Sequence, residues 1–92
     1  MLLANVVGNV WATRKDEQLR GLKLLVVQPV DSDGAPIGSE IVAADSIGAG
    51  VGEMVLITQG SSARRAVRGE VAIDAVVVGI IDTVEVMHGS SK

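Results

Sequence analysis

Apolar residues fall into five short runs along this chain, and each run is closed by glycine, proline or a cluster of polar turn formers. The first, residues 1–12 (MLLANVVGNVWA), is rich in Val and Leu and carries Gly8, where a strand would bulge or bend. A charged loop at 13–21 (TRKDEQLRG) precedes the second run at 22–30 (LKLLVVQPV). Pro29 has no N–H to donate, so it belongs near a strand end or at an edge. Residues 31–36 (DSDGAP) are dense in turn formers and predict a hairpin loop. A third strand is predicted at 39–45, the glycines at 48, 50 and 52 break it, and a fourth follows at 53–59. Ser61 or Ser62 offers a hydroxyl that would cap one helical turn through Ala66. The fifth strand lies within 72–86, and 88–92 is a polar tail.

The expected fold is therefore all-β with one or two short helical turns. Five strands of this length suit a small OB-like barrel, in which closure removes the free edges. Residues 1–87 form one barrel domain and residues 88–92 a tail. The fifth strand adds a constraint. Val76, Val78, Ile80, Val84 and Val86 share one parity, interrupted at Asp82, while Ala75, Val77 and Ile81 share the other. A half-exposed antiparallel strand should alternate apolar with polar. Here both faces are apolar as far as Ile81, and residues 54–57 behave alike. With Val77 and Ile81 assigned to the outward face, only another subunit could cover them, at roughly 25 cal/mol per Å2 of apolar area removed from water. The pattern predicts an obligate oligomer.

Composition narrows the chemistry. The chain has 92 residues, 48% of them hydrophobic, and its one aromatic residue is Trp11. A single domain of this size buries roughly 60–65% of the surface its unfolded chain exposes. Cysteine is absent, which removes disulfides and thiolates. A net charge of −3 gives no general attraction to phosphate backbones, so nucleic acid is not an expected partner. No run approaches the ~20 apolar residues of a membrane helix. The opening lacks a basic leader and contains Asn5 and Asn9, which argues against a signal peptide. A soluble, cytoplasmic protein with no membrane partner is expected.

Candidate catalytic and binding groups fail on detail. The run Gly48-Ala49-Gly50-Val51-Gly52-Glu53 invites a phosphate loop, yet Glu53 stands where a dinucleotide fingerprint needs glycine and a strand follows instead of a helix. Small residues there would let backbones approach closely around a narrow symmetric opening, which makes Gly48, Ala49 and Gly50 candidates for an axial pore. Ser61 and Ser62 lack a base, since the one histidine is His88 in the tail. Arg64, Arg65 and Arg68 have neither aromatic platforms nor a basic excess beside them. Arg64 is instead expected to reach a carboxylate such as Asp74 or Asp82 at an interface. Asp74 and Asp82 would lie ~26 Å apart along one strand, too far to act as a paired acid and base. Asp31 and Asp33 beside Gly34 lack the closing glutamate of a calcium loop. No catalytic residue, metal or cofactor is indicated.

The stretch 50–64 (GVGEMVLITQGSSAR) and the stretch 74–84 (DAVVVGIIDTV) resemble the paired signatures of the bacterial microcompartment vertex proteins, the CcmL/EutN family. The opening strand with Gly8 and the segment 45–48 resemble it too, so the likeness runs from Met1 to about Val86. The resemblance implies a five-stranded barrel assembled into a homopentamer that caps the vertices of an icosahedral shell in the bacterial cytoplasm, beside hexameric shell proteins. It implies a structural role, with Gly60, Ser61, Ser62, Ala63, Arg64 and Asp74 contributing to folding and subunit packing. The alternative reading is an oligonucleotide-binding type of barrel acting as a binding module.

Overall fold

The computed structural model describes residues 1–11, 21–60 and 74–87. Five strands occupy them: β1 Leu2–Val10, β2 Lys23–Val30, β3 Ile41–Asp45, β4 Met54–Gln59 and β5 Ala75–Ile81. They close into a barrel in the order β1-β2-β3-β5-β4. Each strand falls inside its expected run, and Pro29 is the penultimate residue of β2. The expected helical turn from Ser61 or Ser62 through Ala66 lies outside the described residues, as does the 88–92 tail.

Four of the five strand contacts are antiparallel, and β3 with β5 is parallel, registered at Ala44 and Val76. This seam follows from chain direction. β4 leaves the barrel end that β3 reaches, runs back, and β5 returns beside it, so β5 runs with β3. The expected hairpin after β2 is present. Asp31 closes it by accepting the Gly34 N–H on its carbonyl at 3.0 Å and the Asp33 and Ala35 N–H groups on Oδ1, each at 2.9 Å. Gln28 steadies the far side of the loop, donating from Nε2 to the Pro29 carbonyl at 2.9 Å.

The bore is filled by small and β-branched side chains. Ala4, Val6, Leu25, Val27, Ala43, Ala49, Val55, Ile57, Ala75 and Val77 form one buried cluster. Residues directly opposite across a ladder share a face, so this cluster defines the inward positions. Two register shifts then decide what faces outward. One falls between Val6 and Gly8 opposite β2, the irregularity expected at Gly8. The other lies between β4 and β5: Leu56 pairs with Gly79 but Ile57 pairs with Val77, which leaves Val78 as the extra residue of a bulge.

That second bulge corrects the sequence reading of β5. Strict alternation put Val77 and Ile81 on one outward face. Val77 is instead 2% exposed inside the barrel, while Ile81 sits opposite Met54 on the outward face. An extra residue between them inverts the parity. A second correction follows. Ala44 and Val76, which face outward, are 2% and 3% exposed and pack with Leu22, Leu24 and Val78. Part of the outer apolar surface is thus already covered within the chain.

Candidate assembly surface and glycine loop

The turn between β3 and β4 is organised by one carboxylate. Asp45, the last residue of β3, points inward and is 2% exposed. Its Oδ1 accepts the Ile47 N–H at 3.0 Å, and its Oδ2 accepts the Gly48 and Ala49 N–H groups at 3.0 and 2.9 Å. Glu53 takes the next donor, accepting the Gly50 N–H on Oε1 at 2.7 Å. Gly52 donates to the Val6 carbonyl at 2.9 Å, and Glu53 donates to the Gly50 carbonyl at 3.1 Å. Lys23, at the start of β2, fixes the loop from the other side by donating from Nζ to the Ala49 carbonyl at 2.7 Å. A phosphate cradle requires free converging N–H groups. Here six are already engaged by the protein itself, which gives a physical reason for the loop's failure as an anion site.

The same geometry corrects one pore candidate. Ala49 is fully buried in the barrel core, so its methyl group cannot line an opening. The Asp45 carboxylate pulls the backbone inward at that residue. Gly48 stays exposed with φ of 106°, a left-handed conformation that suits glycine, and Gly50 is half-buried. Ile47 and Val51, on either side of Ala49, project outward at 49% and 59% exposure.

At the other end of β4, the structure brings two candidate residues together. Gly60, with φ of 67°, donates its N–H to the Asp74 carbonyl at 2.8 Å, just beyond the Gln59–Ala75 pair. Gly60 and Asp74 therefore stand side by side at that end of the barrel. Ser61, Ser62, Ala63 and Arg64 lie outside the described residues, so the expected Arg64 ion pair does too. Asp74 is exposed.

Ile81 belongs to a half-buried outward row, abreast of Met54 and Asn5, and the next row holds Leu3, Leu56 and Gly79. Val7 and Val42 add exposed apolar surface at 45% and 49%. Among the described residues no three His, Asp or Glu side chains converge to hold a metal ion. Asp45, Lys23 and Glu53 were not singled out from sequence. The Lys23 contact spans 26 positions and is visible only once β2 and the turn are adjacent. Asp45 two to four residues before the amides it caps is a turn signal that was available.

Comparison with known proteins gives this barrel its relatives. The family described as ethanolamine utilisation protein EutN/carboxysome matches residues 1–82. The carboxysome shell vertex protein CcmL of Synechocystis sp. is 50% identical over 91 residues, which cover 98% of this chain and 91% of that protein. The bacterial microcompartment shell vertex protein PduN of Salmonella typhimurium is 51% identical over 88 residues, covering 90% of this chain and 97% of PduN. Among solved structures, the GrpN pentameric microcompartment shell protein of Rhodospirillum rubrum superposes with a TM-score of 0.86 at 48% identity, covering 95% of this chain and all of that one. These relatives are structural proteins, and the family match over residues 1–82 spans all five strands and the glycine loop. The chain belongs to the EutN/CcmL family of microcompartment shell vertex proteins and is a structural protein, not an enzyme.

Proposed function

We propose that this chain forms a cyclic homopentamer that caps the vertices of a microcompartment shell in the bacterial cytoplasm and meets hexameric shell proteins along its rim. The observation that carries the reading is the outward apolar surface of a barrel whose bore is already full. Leu3, Leu56, Met54 and Ile81 form a contiguous patch for which an identical neighbour supplies the matching surface. A heterologous contact of this kind closes into a ring when its rotation divides a full turn. Five copies give the five-fold unit that a sheet of six-fold tiles needs in order to close.

Within the ring, Ile81 contributes to the subunit contact, and Gly60, Ser61, Ser62, Ala63, Arg64 and Asp74 contribute to folding and subunit packing. Gly48 and Gly50 stand nearest the axial opening, with Ala49 acting only as an inward anchor. The test is reconstitution. Hexameric shell proteins expressed with this chain should close into polyhedral shells, and without it should give open sheets or tubes. Closed shells of equal number in both cases would remove the vertex role.

A further inference from the structure

Beyond Ile81 the chain continues through residues 82–87 with no strand pairing among the described residues, and no backbone hydrogen bond joins residues 83–87 to another described residue. This arm is not a polar tail. Val84, Val86 and Met87 are 37%, 46% and 93% exposed, and the first two alternate with Thr83 and Glu85 as a half-buried strand requires. An edge of matching kind exists on β1. That strand pairs with β4 only over residues 2–5, and Gly52 and Glu53 extend the pairing to Val6. Over residues 7–10 its β4 side has no partner among the described residues. Exposed Val7 and Trp11 flank it at 45% and 88%.

We infer that residues 83–87 of one copy add as a strand to the residue 7–10 edge of β1 in the neighbouring copy, which rests on the ring proposed above. Strand addition of this kind satisfies both rows of backbone groups and buries alternate side chains. The chain's own edge is out of reach. β1 and β5 flank β4 in parallel, about 10 Å apart at two strand spacings. Gly52 and Glu53 fill the space between them.

Symmetry favours this edge over the one on β3. Among the described residues, 41–43 of β3 also lack a partner on the β5 side, but β3 runs parallel to β5 with Ala44 beside Val76, so they lie at the barrel end remote from Ile81. Asn5, Met54 and Ile81 lie abreast, so the arm and the β1 edge leave the barrel from one end. Rotation about a ring axis preserves height along it. Features close together on one copy therefore meet at the same level between copies.

The chain has no cysteine, so introduced pairs report cleanly. Four double variants combine Val7→Cys or Asn9→Cys with Val84→Cys or Val86→Cys, and each is oxidised after assembly. At least one should give a non-reducing ladder rising to five-fold the protomer mass. No interchain ladder from any pairing, in protein whose native mass is pentameric, would overturn the arm and leave the ring standing. A monomeric native mass for the unmodified protein would remove both. Independently of the variants, the alternate amides within 83–87 that face the neighbouring edge should exchange at least ten-fold more slowly in the intact assembly than in an unstructured chain, and unslowed exchange at all of 83–87 would also overturn the inference.

Discussion

Replacing Asp45 with alanine tests whether one carboxylate holds the glycine loop. Three N–H groups would lose their acceptor: that of Ala49, which is buried, and those of Ile47 and Gly48, which water can partly reach. Hydrogen bonds to a charged acceptor contribute about 1.5–3 kcal/mol each, and less where solvent can substitute. Taking about 2 kcal/mol for the buried bond and roughly 0.5–1 for each of the others, Asp45→Ala should destabilise the fold by about 3–4 kcal/mol. Small domains have only 5–15 kcal/mol in total, so this is a large fraction. For a chain of this length it corresponds to a fall in Tm of very roughly 12–30 °C. Denaturant unfolding at one fixed protomer concentration is the assay, because assembly makes stability concentration-dependent. Asp45→Asn sharpens the test. Its carbonyl oxygen can serve one side of the loop, but its NH2 group would face an N–H donor on the other, so it should recover only part of the loss. A loss under 1 kcal/mol for Asp45→Ala, or full recovery with asparagine, would refute the reasoning.

Three further expectations are testable, the first two from the same geometry and the third from the sequence. Val77→Asp should abolish folding by placing a charge in the bore, whereas Ile81→Asp should leave a folded barrel, read by circular dichroism, of reduced native mass. Two variants with the same phenotype would contradict the parity inversion at Val78. Gly48→Ala meets no atom within 4 Å, so its cost should be the backbone strain of φ 106° alone, about 1–2 kcal/mol in denaturant unfolding. Arg64→Ala should weaken assembly more than Arg68→Ala, and equal native mass profiles for the two would remove the proposed role of Arg64.

Much of the fold was legible because its signals are local. Five apolar runs, Pro29 at a strand end, the turn formers at 31–36 and the bulge near Gly8 all follow from short-range rules about glycine, proline and alternation. The β4–β5 bulge was not legible. Every residue from Ala75 to Val78 is apolar, so no polar position marks where the parity changes, and Val77 was placed outside when it lies within. The Lys23 anchor of the loop was hidden for a different reason. Glycines at 48, 50 and 52 suggested close approach of backbones, but the inward pull on Ala49 comes from Asp45 and from Lys23, which only the closed barrel sets beside it. The apolar excess read from β5 was real. Its division into a core lining, a patch covered by Leu22 and Leu24, and a remainder facing outward required the register.

The account stands on that remainder being shared between copies. Native mass spectrometry of the purified chain measures it most directly. A single species at five times the protomer mass, shifted toward monomer by Ile81→Asp, is the predicted result. A stable, folded monomer at micromolar concentration would contradict it.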